Sequence, residues 1–169
     1  MTAYPIFILG FMAAGKSSMA PKLALALELE FIDLDQEIEK TSQQSIEQIF
    51  KNEGENGFRK LEYLQLRTIE AGQKSVVALG GGTPAFKDNM DYIKTTGTSI
   101  YLMHPAEILI GRLRQQRAQR PLLKGLDELE IVNFVKETLA KREDYYSQAD
   151  YCVEGERMKL KGLLELLKV

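Results

Sequence analysis

Ile6-Phe7-Ile8-Leu9 runs straight into Gly10-Phe11-Met12-Ala13-Ala14-Gly15-Lys16-Ser17, and a stretch with helical patterning follows. A buried strand must here hand its chain to a helix through a loop opened and closed by glycine, which leaves few arrangements open. The spacing is G-x-x-x-x-G-K-[ST]. Such a loop turns its N–H groups inward while the helix N-terminus adds positive potential, so it suits a chain of phosphates. Lys16 is then expected at the β- and γ-phosphates, and Ser17 at a magnesium ion that neutralises them. Gly10, Ala13, Ala14, Gly15 and Ser18 complete the expected nucleotide contacts. The bland alternative is a plain strand-to-helix turn carrying a surface lysine.

The surroundings agree with a small-molecule enzyme. A chain of 169 residues, 44% hydrophobic and 27% charged, fits one compact domain, 1–169, with a real core. Its 22 basic and 24 acidic residues carry no basic bias that would point to nucleic acid. Cys152 is alone and is expected as a buried strand residue. No apolar run approaches a membrane span or a signal peptide, so the expectation is a cytoplasmic protein.

Apolar runs near Ile6–Leu9, Phe31–Leu34, Ser75–Leu79, Thr98–Met103 and Asp150–Val153 alternate with helical patterns, which predicts an α/β fold with a parallel sheet covered on both faces. Leu23, Ala24 and Leu27 recur at helical spacing. A long helix is expected over about 53–71. Pro21 lacks a backbone donor, so a bend or a water is expected opposite the Ser17 carbonyl.

Asp33 and Asp35 close the second strand run, and residues two apart on a strand look to one side, here at the carboxyl end of the sheet. One acid can hold the metal while the other takes a proton from an acceptor hydroxyl; alternatively Asp35 only caps the next helix. Arg59 and Glu62 share a helix face, which suits an arginine braced for a ligand carboxylate or an ordinary solvated pair. Gly80, Gly81 and Gly82 either let a ligand touch the backbone or form a flexible turn. Arg112, Arg114, Arg117 and Arg120 read as a flap over phosphates, with a solvated basic helix face and an RNA contact as the other readings. Arg142 ends a long helical pattern, where a cation is favoured anyway. His104 is expected to be structural.

In this order, and over nearly the whole chain, these segments resemble the shikimate kinase family: the phosphate loop, the paired aspartates, Phe58-Arg59-x-x-Glu62, the triple glycine, Arg120 before Pro-Leu-Leu, and Arg142 in a helix followed by tyrosines. The resemblance implies a three-layer phosphate-loop kinase of the nucleoside-monophosphate-kinase type, with five parallel strands, helices on both faces, a substrate-binding segment at about 33–62 and a lid at about 112–125. It implies transfer of a phosphoryl group from ATP to the 3-hydroxyl of shikimate, in aromatic amino-acid biosynthesis; separately, the chain is expected to be a monomer. Asp35, Arg59, Gly80, Gly81, Gly82 and Arg142 would hold shikimate, with Asp35 as base. Asp33 and Ser17 would place Mg2+, and Lys16 and Arg120 would serve the phosphates. Ala13 stands where the family usually has glycine and Ser18 where it has threonine, and Val153-Glu154-Gly155 departs from its Val-Asp-Thr, next to expected adenine contacts near Glu156 and Arg157. The competing functions are a gluconate or nucleoside-monophosphate kinase, and a nucleotide-binding regulator without turnover. A GTP switch would carry N-K-x-D and D-x-x-G, and neither is present.

Overall fold

The computed structural model of the chain describes residues 2–116, 121–123 and 125–168. Five strands, β1 (Ile6–Leu9), β2 (Glu30–Asp33), β3 (Ser75–Ala78), β4 (Thr98–Leu102) and β5 (Tyr151–Val153), form one parallel sheet in the order β2-β3-β1-β4-β5. Each lies within a residue of its expected place. The three inner strands are buried along their whole length, as continuous apolar runs in a sheet covered on both faces require. β1 sends its helix toward β2 while β4 sends its own toward β5, so a crevice opens between them at the carboxyl ends of the strands.

Register aligns the two loops that matter. Phe7 pairs with Val77 and Ile8 with Ala78, so Gly10 and Gly80 leave neighbouring strands two residues beyond the same paired rung.

Seven α-helices occupy the described residues: α1 (Lys16–Ala26), α2 (Leu34–Ser42), α3 (Ile46–Leu66), α4 (Asn89–Thr96), α5 (Ala106–Gln116), α6 (Glu128–Tyr146) and α7 (Leu160–Leu167). α1 runs unbroken through Pro21 and packs on β3 and β2 through Ala20, Leu23 and Ala24. α3 starts earlier than the expected 53, because Ser45 and Gln48 form a reciprocal capping box at its N-terminus. Its helical course is interrupted only at Gly54, where φ is 68° and ψ is −174°, and it ends at Leu66 rather than near 71.

Leu34 and Ile38 of α2 and Ile49 and Leu66 of α3 are fully buried and hold this pair of helices to the body of the protein. Each such side chain contributes roughly 1.5–3 kcal/mol. Cys152 is exposed, which corrects the expectation of burial. β5 is a three-residue edge strand in which Val153 is buried while Cys152, beside the Ser147 carbonyl at the end of α6, stays exposed.

Candidate active site

The phosphate loop takes its shape from backbone geometry first. Gly15, at φ 97°, precedes α1 in the left-handed region, and its carbonyl accepts the N–H groups of Ser18 and Met19, closing the first helical turn. Lys16 is buried, and its Nζ donates to the carbonyls of Gly10 and Phe11, each at 2.8 Å, so the ammonium is held inside the loop. Ser17 and Ser18 face outward at the mouth. Ala13 adopts φ 62°, a conformation that L residues with a Cβ rarely take. Its carbonyl accepts a hydrogen bond from Arg112 Nη1 at 2.9 Å, and His104 Nε2 lies 3.0 Å from the carbonyl of Ala14. Burial is the main influence lowering the His104 pKa, with Arg112 adding to it against the Ala14 carbonyl.

The aspartates are arranged differently from the strand pattern. β2 ends at Asp33, whose Oδ1 accepts the backbone N–H groups of Asp35 at 3.0 Å and Gln36 at 3.3 Å. Asp33 is therefore the helix cap, and Asp35 sits in the first turn of α2. The capping carboxylate takes the donors that one more strand residue would have used. Both carboxylates still border one cavity, together with Lys16, Ser17, Gly80 and Gly81.

Beside it lies a second cavity, bordered by Phe50, Phe58, Arg59, Glu62, Leu122 and Arg142. Met12, Asp35, Gly80 and Gly81 belong to both cavities and make the wall between them. Arg59 is ion-paired through Nη1 with Glu62 and through Nη2 with Glu55 at 3.0 Å. Burial works against its charge, but Glu62 and Glu55 more than offset this and raise its pKa. A Cβ on Gly82 would collide with the Arg59 guanidinium, and one on Gly80 with Glu62 Oε1, so the triple glycine is what lets these side chains lie against the turn. Arg142 comes in from α6, buried, with its guanidinium 5.6 Å from the centre of the Phe11 ring.

Two buried polar atoms among the described residues have no hydrogen-bond partner: Asp35 Oδ1 and Arg142 Nη1. Both residues border the second cavity, and buried polar groups without partners are rare outside sites that meet a ligand. Burial, reinforced by the charges of Glu62 and Asp33 and opposed by Lys16 and Arg59, raises the Asp35 pKa to about 6. A carboxyl tuned to that range takes and releases a proton near neutral pH.

Arg112 and Arg114 are helical and have partners. Both lie in α5, where Arg112 braces the phosphate loop and Arg114 pairs with Glu128 at 2.7 Å. Arg117 and Arg120 lie outside the described residues. Near the expected adenine contacts, a shallow cavity is bordered by His104, Arg112, Gly155, Met158 and Lys159, but by neither Glu156 nor Arg157. Tyr146 escaped the sequence reading: it is fully buried and its hydroxyl donates to the Gly81 carbonyl. Only its place four residues after Arg142, on the same helix face, hinted at a shared role.

The sheet order, the loop after β1 and the carboxylates beside it define a phosphate-loop kinase. A family model described as shikimate kinase matches residues 12–167. A shikimate kinase of Phocaeicola vulgatus is 38% identical over 160 residues, covering 95% of this chain and 91% of that protein. The crystal structure of a shikimate kinase from Bacteroides thetaiotaomicron superposes with a TM-score of 0.85 at 34% identity, covering 97% of this chain and 98% of that one. A shikimate kinase from Acinetobacter baumannii in complex with shikimate gives 0.86 at 31% identity, over 96% and 92% of the two chains. The chain belongs to the shikimate kinase family.

Proposed function

We infer that the chain transfers the γ-phosphoryl group of ATP to the 3-hydroxyl of shikimate, giving shikimate 3-phosphate and ADP, a step of aromatic amino-acid biosynthesis. The observation that carries the residue assignment is the wall between the two cavities. Asp35, with its unpartnered Oδ1, stands where a group held among Arg59, Arg142 and the glycine turn would meet one held by the phosphate loop. In this reading Arg59 and Arg142 clamp the acid's carboxylate with their planar forks, and Gly80, Gly81 and Gly82 offer backbone. Asp35 accepts the proton of the attacking hydroxyl. Lys16 moves from the loop carbonyls to the phosphates, with Gly10, Ala13, Ala14, Gly15, Ser17 and Ser18 around them and Arg120 as a further cation.

The donors fit magnesium. The Ser17 hydroxyl and the Asp33 carboxylate are hard oxygen donors bordering one cavity, and the cap leaves Asp33 its second oxygen. Mg2+ held by Ser17, and by Asp33 through water, would neutralise phosphate charge. No helix among the described residues is long and apolar enough to cross a membrane. We take the protein to act as a single-domain, cytoplasmic monomer.

The test incubates the protein with ATP, magnesium and, in turn, shikimate, gluconate and nucleoside monophosphates, and follows ADP release. Release with shikimate far above the others is expected. Preference for gluconate or a nucleotide would overturn the reading.

A further inference from the structure

Behind the acid pocket runs a chain of polar contacts that substrate chemistry alone does not require. Glu62 is fully buried, and its two oxygens are divided: Oε2 pairs with Arg59, and Oε1 accepts a hydrogen bond from Thr83 Oγ1 at 2.6 Å. Thr83 is fully buried too, in the short 3-10 turn Thr83–Ala85 after the triple glycine. Its backbone is fixed on both sides. The Thr83 N–H donates to the Gly80 carbonyl at 3.1 Å, and the Thr83 carbonyl accepts from Asn89 Nδ2 at 2.8 Å.

Asn89 is itself buried and accepts from Arg67 Nη1 at 2.7 Å. Arg67 lies 3.4 Å from the centre of the Tyr63 ring and pairs with Asp88 at 2.8 Å. The contacts thus run from an ion pair at the surface, through Asn89 and Thr83, to the carboxylate that orients Arg59.

A buried carboxylate is stable as an anion only while donors hold it, and the direction of those donors sets its plane. One donor leaves it free to turn about that bond. Two donors from different elements, Arg59 on α3 and Thr83 beside the glycine turn, fix the plane and with it the fork of Arg59. We propose that Thr83 is a positioning residue for acid recognition: its hydroxyl, carried on a backbone whose carbonyl Asn89 holds from behind, locks Glu62 and so aims Arg59 at the substrate carboxylate. The inference rests on the reading of the second cavity as the shikimate pocket.

The experiment uses the full chain as wild type, Thr83→Val, Thr83→Ser, Glu62→Gln and the Thr83→Val/Glu62→Gln double variant. It reads kcat, the KM for shikimate, the KM for ATP and thermal unfolding. Thr83→Val keeps the branched shape and removes the hydroxyl. Because hydrogen bonds to charged groups are among the stronger ones and only part of the loss reaches the ligand, the shikimate KM should rise roughly 3- to 30-fold while the ATP KM stays within about twofold. Thr83→Ser should restore most of the loss. On the Glu62→Gln background, Thr83→Val should add little, since both changes act through one contact.

An unchanged shikimate KM in Thr83→Val would overturn the proposal. So would an equal rise in both KM values with a lower unfolding temperature, failure of serine to rescue, or full additivity with Glu62→Gln. Turnover of shikimate by wild type with no effect at Thr83 sinks this inference alone; no turnover of shikimate by wild type sinks the functional reading and this inference with it.

Discussion

The phosphate loop occupies residues 10–17 without a break, whereas the acid pocket beside it draws Asp35 from α2, Arg59 and Glu62 from α3, Gly80–Gly82 from the turn after β3 and Arg142 from α6. The loop's shape comes mostly from neighbours in sequence, such as the Lys16 bonds to the carbonyls of Gly10 and Phe11. The pocket's shape depends on packing between elements distant in sequence, α2 against α3 and α3 and α6 against the short turn Thr83–Ala85 that follows the glycines. A local motif therefore fails through its own chemistry, while an assembled pocket also fails through its supports.

Four substitutions test that contrast. Lys16→Ala removes a cation from the migrating phosphoryl group, and turnover should fall roughly 10³–10⁵-fold, the scale of losing such a charge. Circular dichroism should show an intact fold, and near-normal turnover in a folded variant would refute the loop's assigned role.

Asp35→Asn comes next, with an expected loss of roughly 10²–10⁴-fold in kcat and little change in ATP binding. Wild-type kcat/KM should rise with pH through about 6, as Asp35 loses its proton, and the variant should lack that limb. Stability should move the other way. A carboxyl whose pKa is raised from 3.8 to about 6 contributes stability that is fully present below the lower value and lost as pH rises through the higher one. At about pH 7.5 the asparagine variant should thus be more stable by about 1–3 kcal/mol, an advantage that vanishes below about pH 4. Denaturant titration at the two pH values decides; lost stability with a retained rate would make Asp35 a structural residue.

Arg142→Lys keeps the charge and loses the fork. Acid binding should weaken by about 1.5–3 kcal/mol, or roughly 10- to 150-fold, with ATP affinity barely moved. Amidating the substrate carboxylate should cost wild type a similar amount and the variant much less. Titrating both ligands into both proteins closes the cycle, and full additivity would detach Arg142 from the carboxylate.

The smallest effect belongs to the loop. Ala13→Gly relieves a left-handed alanine worth about 1–2 kcal/mol, partly offset by the freedom glycine gains when unfolded. A net gain of up to about 1 kcal/mol, a rise of roughly 2–4 °C in Tm, should appear in thermal unfolding. A lower Tm would mean that the Ala13 methyl group contributes more than the strain costs.

The same contrast separates what the sequence discloses from what it conceals. All five strands and the loop are legible because apolar runs and glycine spacing are local signals, and the Arg59–Glu62 brace follows from helical spacing alone. The placement of Asp35 on a strand fails because a capping aspartate ends β2 two residues earlier, and a D-x-D pattern fits both conformations. The expected start of α3 lies too late because the Ser45–Gln48 capping box begins the helix upstream of it. Arg112 and Arg114 look like flap residues because their partners, Ala13 and Glu128, are distant in sequence. Thr83 and Asn89 give no local sign, since the side chains they meet, Glu62 and Arg67, are about twenty residues away in sequence, and Tyr146 shows only its spacing from Arg142.

The pairing of Ile8 with Ala78 works as a ruler. One residue of slippage between β1 and β3 would carry the glycine turn about 3.3 Å along the strand axis and exchange the two faces on which the side chains of β3 pack. In-line transfer tolerates misplacement of about 0.5 Å, so such a slip would open a gap between donor and acceptor that no movement of Lys16 or Asp35 could close. The length of the phosphoryl group's journey is thus set two residues below both loops, in the buried rungs where Phe7 pairs with Val77 and Ile8 with Ala78.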